Sequence, residues 1–236
     1  MNIYRKTAII AGILFIVATA ASLVSTGFTQ SILDSPDYLI KFSATENQVI
    51  LGVLFQFIAA ATSAAIAISL YPLLRKYNEG LALGAVGFRL IEGVFYIVGA
   101  LGLLSLLSLS QEYVKAGTPA VSTFQILGTL MSAVRNWANY ACGVISFCLG
   151  ALMYYFVFYQ SKLIPRCLSV WGIIGIAMLL SMAVLILFGQ EPSGTTLLLA
   201  IPIALQEMAL AVWLIVKGFN PSAIASGSAK TDTKQV

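Results

Sequence analysis

The chain has 236 residues, of which 9% are charged and 59% apolar, where an ordinary soluble domain carries roughly 25% charged residues. Thirteen Lys and Arg with nine Asp and Glu cannot keep the surface of such a chain wet, which excludes a soluble globular domain and makes a bilayer the better outer solvent. The net charge of +4 comes without any basic and aromatic patch of nucleic-acid type, and the lack of histidine removes the commonest general base, zinc ligand and haem ligand, so neither nucleic acid nor a cofactor is expected.

A hydrocarbon core of about 30 Å takes about 20 apolar residues to cross as a helix. Thr7 to Phe28 is the first such run. It follows Arg5-Lys6 and contains Ala18-Thr19-Ala20, yet it exceeds a signal-peptide core and further spans follow, so an uncleaved helix is expected. Residues 29–47 are polar, and Ser35-Pro36-Asp37 reads as the start of a short surface helix with serine as the cap. Val49 to Leu74 is the second span, closed by Arg75-Lys76, and Leu81 to Leu109 the third, interrupted by Arg89 and Glu92. Residues 110–120 are polar, with Gly117-Thr118-Pro119 as a breaker.

The stretch from Val121 to Gln160 would reach about 60 Å as one helix, too long for one crossing. Asn139 to Tyr159 is therefore read as the fourth span, with Thr123 to Val134 lying on the outer surface or dipping in as a half-helix. Leu168 to Phe188 is the fifth span and Thr195 to Val216 the sixth, joined by a polar turn at Gly189 to Gly194. The transmembrane domain thus covers residues 1–219, and residues 220–236 read as a disordered cytoplasmic tail, small, polar and without periodicity. Cys142, Cys148 and Cys167, odd in number and within helices, read as packing residues rather than a disulfide framework.

Orientation follows from the basic residues near the span ends. Six crossings gather Arg5, Lys6, Arg75, Lys76, Lys162, Arg166 and Lys217 on one side, against Lys41, Lys115 and the boundary residue Arg135 on the other. A seventh crossing at Arg135 to Asn139 would move Lys162 and Arg166 outward and spoil the pattern. The expected fold is an all-α polytopic bundle of six transmembrane helices with both termini cytoplasmic.

Several phrases have a family look. Leu163-Ile164-Pro165-Arg166-Cys167-Leu168-Ser169-Val170-Trp171-Gly172 is followed by Ile201-Pro202-Ile203-Ala204-Leu205-Gln206-Glu207-Met208 and then by Trp213 to Asn220. With Tyr71-Pro72-Leu73-Leu74 and Gly87-Phe88-Arg89-Leu90-Ile91-Glu92-Gly93, the chain resembles the bacterial domain-of-unknown-function family 4386 of integral membrane proteins. The resemblance runs from the first helix to Asn220, with Cys167 standing where a tryptophan or other large residue is expected. It implies a multi-pass protein of the bacterial cytoplasmic membrane and no activity.

The residues able to carry chemistry are few. Counting 1.5 Å per residue from Leu81, Arg89 lies about 12 Å deep and Glu92 about 16 Å. Charges there cost roughly 2.5–3.5 kcal/mol each, so they should face the bundle and pair at i and i+3, on a stripe continuing through Tyr96 and Gly99. Glu207, about 15 Å in from Lys217, shares its stripe with Ala200, Ala204 and Ala211, a small seam suited to close packing. Gln56, Ala60, Ser63 and Ala67 form a similar seam on the second span. A polar core of Gln56, Arg89, Glu92, Tyr96 and Glu207 is expected where spans two, three and six meet, with Arg89 contacted by both glutamates, directly or through one water.

Three readings of that core remain open. It is a satisfied network fixing helix register, a site for a small molecule, lipid headgroup or ion in a binding protein or transporter, or the centre of an intramembrane enzyme. A chain of the first kind would suit an accessory subunit of a larger complex. A binding protein should have a cavity reaching the Arg89–Glu207 region from one side, and an accessory subunit should not. The halves also run in opposite directions, with Glu92 and Glu207 each in its last helix, as an inverted repeat would place them.

Overall fold

The computed structural model describes residues 3–116 and 121–232, so the Gly117-Thr118-Pro119 breaker lies outside the described residues. All regular structure among the described residues is helical, and six helices are long and apolar enough to cross a membrane. In chain order they are α1 (Ile3–Leu33), α2 (Tyr38–Ala44), α3 (Glu46–Leu74), α4 (Glu79–Ala116), α5 (Val121–Asn136), a π-helical turn (Trp137–Cys142), α6 (Gly143–Ser161) and α7 (Arg166–Leu187). The short α8 (Gly194–Leu197), a 3₁₀ turn (Leu198–Ala200), α9 (Ile201–Val216) and α10 (Pro221–Asp232) complete the chain.

The spans form a closed ring. α1 packs on α3, α3 on α4, α4 on α6, α6 on α7, α7 on α9, and α9 returns to α1. Each is held by its chain neighbours, as short connections between antiparallel helices dictate. Local signals set the ends: the Asn78 side chain accepts the Leu81 N–H at 3.0 Å to start α4, and Lys162 closes α6 in a left-handed conformation at φ 58°. The Ser35 hydroxyl bonds the Asp37 carboxylate instead of capping a helix, and α2 starts only at Tyr38.

Two expectations are corrected. Thr123 to Val134 is neither a separate surface helix nor a half-helix, because α5 runs through the π turn into α6 as one helix from Ser122 to Ser161. At 38 residues α4 is almost as long, and the two support each other beyond one membrane thickness. Tyr113 packs edge-on to Phe124 at 5.6 Å, and α2 closes over the α4 end, where Ser43 N–H donates to Ser110 Oγ at 2.8 Å and the Ser110 hydroxyl donates to the Leu39 carbonyl. Beyond Asn220 the chain, read as structureless, is helical from Pro221 through Asp232. Pro221 opens this helix, the Asn220 side chain accepts the Ser222 N–H at 3.1 Å, and Tyr77 ties it down through the Ala223 carbonyl at 2.7 Å.

At the end of the bundle that carries the termini, Arg5 donates to the carbonyls of Leu214, Ile215 and Val216 at 3.1, 2.5 and 3.2 Å, satisfying groups that the last turn of α9 leaves open. Phe15, Tyr154, Tyr155 and Phe158 pack there. Leu23, Val94, Ile174 and Val212 are more than half exposed, the apolar outer surface that a spanning bundle turns to lipid.

Candidate functional site

Arg89 is brought into the ring by α4 and is 2% exposed. Gly150 of α6 makes this possible, because a Cβ there would stand 3.1 Å from Arg89 Cγ and 3.3 Å from the Ala85 carbonyl. The guanidinium lies 4.7 Å over the Phe147 ring and donates through Nε to the Ser63 carbonyl at 3.3 Å. Its Nη1 is 2.9 Å from Glu92 Oε2, one turn along α4 as the spacing predicts. That contact carries charge attraction, but no Nη1–H is directed along it, and Nη1 keeps unspent donor capacity.

Glu92, also 2% exposed, accepts the Ser63 hydroxyl at 2.7 Å, and Tyr96 follows one turn further along α4 on the same cavity wall. Gln56 Nε2 donates to the Tyr96 carbonyl at 2.8 Å and to Asn139 Oδ1 at 2.9 Å. Asn139 sits in the π turn, whose extra residue turns it and Tyr140 toward the ring interior; such turns recur at functional sites. Nearby, the Tyr155 hydroxyl bonds Gln206 Oε1, and Gln206 Nε2 donates to the Leu168 carbonyl at 3.0 Å, tying α6, α9 and α7 together.

The five residues singled out in the sequence, Gln56, Arg89, Glu92, Tyr96 and Glu207, all line one cavity of about 290 Å³ inside the ring. The structure ties the first four into two bonded groups on the α3–α4 side, Arg89 and Glu92 through Ser63 and Gln56 with the Tyr96 carbonyl. Glu207 stands apart. It makes neither an ion pair nor a hydrogen bond with Arg89, and its Oε1 is buried without a partner. No direct contact joins Glu207 to Arg89, and the reason is the ring: α9 packs on α1 and α7 and faces α4 across the cavity. The small seam of α9 does not approach α4 either. Ala200 and Ala204 line the cavity, while Ala211 packs against α1.

The cavity also holds residues that the sequence reading passed over. Arg135, 4% exposed, donates through Nη1 to Asn136 Oδ1 at 2.9 Å and lies 5.4 Å from the Tyr140 ring, with Nε unpartnered. Thr19, Ser22 and Thr26 line the cavity from α1, a polar stripe at i, i+3 and i+7. The fully buried Tyr154 hydroxyl, beside this network on α6, is unpartnered too. Among the described residues no group of three or more His, Cys, Asp or Glu gathers as a metal site.

The wall therefore presents two guanidiniums, two carboxylates and several hydroxyls around a space bounded by apolar side chains. Arg89 Nη1, Arg135 Nε and Glu207 Oε1 retain capacity that buried polar groups rarely leave unused. Neither the curated proteins nor the solved structures contain a match to this chain. The sequence model of one family, described as Domain of unknown function (DUF4386), matches residues 10–218, a range that holds every residue on the cavity wall, and the chain belongs to that family.

Proposed function

We propose that this multi-pass membrane protein is a binding protein whose intramembrane cavity takes a small polar or amphipathic ligand. The observation that carries the reading is Glu207. A carboxylate with a buried, unpartnered oxygen on the wall of a cavity contributes nothing to the fold that an apolar residue would not supply better. A network serving only to fix helix register would have closed Glu207 onto Arg89. Arg89 Nη1 on the opposite wall keeps matching donor capacity. A ligand between them would use both.

The basic residues gather at the end of the bundle that carries the termini, which supports placing that end in the cytoplasm of a bacterial cell and the cavity from the middle of its membrane outward. Transport is the second reading. Glu92 and Glu207 occupy the last long helix of each half and face one cavity, as the coupling groups of an inverted repeat would. Excising the protein with its native lipid in polymer nanodiscs tests the binding reading. Solvent extraction and mass spectrometry should release a defined molecule from the wild type and not from Ala204→Trp, which fills the cavity, with thermal unfolding confirming that the variant is folded. Identical extracts from both proteins would refute it.

A further inference from the structure

We infer that the cavity takes the zwitterionic headgroup of a membrane lipid, admitted sideways from the bilayer between the half of α1 remote from its N-terminus and the segment Gly194–Ala200. This rests on the binding reading above and adds the ligand class and the route. The seam between α1 and the last span is closed unevenly. Near the termini it is pinned: the position of a Cβ on Gly12 lies 2.7 Å from Ile215 Cγ1 and 2.8 Å from the Ala211 carbonyl, and Arg5 holds the last carbonyls of α9. Toward the other end the seam loosens. No residue of α8 or the following 3₁₀ turn is buried, and a Cβ on Gly27 would meet nothing within 4 Å.

The two lips of this loose seam are also cavity wall. Ser22, Leu23 and Thr26 stand on one side, Leu197, Ala200 and Ala204 on the other. Leu23 lines the cavity and yet is 68% exposed, so the cavity surface is continuous with the surface that faces lipid. The hydroxyls of Ser22 and Thr26 give a polar group a path past an otherwise apolar lip. At about 290 Å³ the space lies at the lower end of ligand pockets, roughly 300–1,000 Å³, which suits a headgroup whose acyl chains remain in the bilayer.

Charge selects the head. Arg89 and Arg135, both nine-tenths buried or more, offer unspent donors, and Glu207 offers an unspent acceptor. An anion alone would face Glu207 unpaired, and a cation alone would leave the guanidinium donors unused. A head with a phosphate and an ammonium group meets both, phosphate to Arg89 and ammonium to Glu207.

The test uses the full chain in vesicles of equal parts phosphatidylethanolamine and phosphatidylglycerol, with the photo-crosslinker p-benzoylphenylalanine at Leu23 or, as control, at Ile174, which faces lipid on α7. Mass spectrometry of the irradiated protein should show phosphatidylethanolamine enriched about threefold or more at position 23, the selectivity of one ion pair, with the bulk ratio at position 174. Glu207→Leu should return position 23 to the bulk ratio. The bulk ratio at position 23 of the unsubstituted site would overturn the proposal. In that case, stabilisation by soluble phosphoethanolamine that depends on Glu207 would leave a zwitterion site reached from water. Without such stabilisation the headgroup assignment falls as well, and the broader binding reading stands or falls on the co-purified molecule.

Discussion

Exchanging Glu92 for leucine removes the carboxylate 2.9 Å from Arg89 and the acceptor of the Ser63 hydroxyl in one step. The guanidinium would remain 2% exposed, with one backbone carbonyl and an aromatic face for company. Breaking a buried ion pair on one side costs about 3–5 kcal/mol, because the surviving charge keeps its desolvation penalty. Exchanging Glu207 for leucine removes a carboxylate whose Oε1 has no partner. An unmade buried acceptor carries a penalty of about 1–3 kcal/mol, so this variant should lose nothing and recover part of that amount. Two glutamates at similar depth should therefore behave in opposite ways. Unfolding in mixed micelles titrated with dodecyl sulfate, followed through the three tryptophans, reads both changes on one scale. Arg89→Leu should cost as much as Glu92→Leu, and the double variant should cost less than the sum, because the two groups form a unit. Equal losses for Glu92→Leu and Glu207→Leu would refute the reasoning, since they would mean that Glu207 also holds Arg89.

Further outcomes follow from individual contacts. Gly12→Val should cost about 1–3 kcal/mol in the same titration, because its Cβ would meet the Ala211 backbone carbonyl, which cannot withdraw as a side chain can. Tyr155→Phe should cost about 1–3 kcal/mol, since it strands the Oε1 of Gln206, a residue with no exposed surface, while Tyr159→Phe should be close to neutral. Reporter fusions after Lys76, Arg166 and Lys217 should report cytoplasm, and those after Asp37 and Glu191 the outside; a cytoplasmic signal at Glu191 would reverse the assigned orientation.

The number of spans and the Arg89–Glu92 pair were legible because each depends on one quantity read along a single helix, apolar length for the first and i, i+3 spacing for the second. That Glu207 shares a cavity with Glu92 fits the similar heights counted along their helices. The neighbours of Glu207 were not legible, because helical spacing gives a residue's height and face but not which helix that face meets. Only the closure of α9 onto α1 puts the cavity between Glu207 and Arg89. The expectation of a break before Asn139 took the membrane as the limit on helix length. It failed because α4 is also long, and α5 and α2 pack on its protruding end. The tail from Asn220 has little apolar periodicity, yet an asparagine cap, a proline at the first turn and the Tyr77 hydrogen bond are enough to set a helix going.

The polar stripe of Thr19, Ser22 and Thr26 and the role of Asn139 as a partner of Gln56 needed the ring before they acquired meaning. A threonine in a spanning helix ordinarily bonds back to its own carbonyls, as Thr29 does to Ser25 at 2.9 Å. Nothing in α1 alone distinguishes that use from a hydroxyl on a cavity wall.

The most direct test of the central claim is a density map of the wild-type protein held in native-lipid nanodiscs. The binding reading requires non-protein density in the ring interior between Arg89 on one side and Glu207 on the other, the two residues that otherwise have polar capacity to spare. A map with the Glu207 carboxylate closed onto Arg89 and no space between them would contradict it, and would reduce the polar core to a device for holding the helices in register.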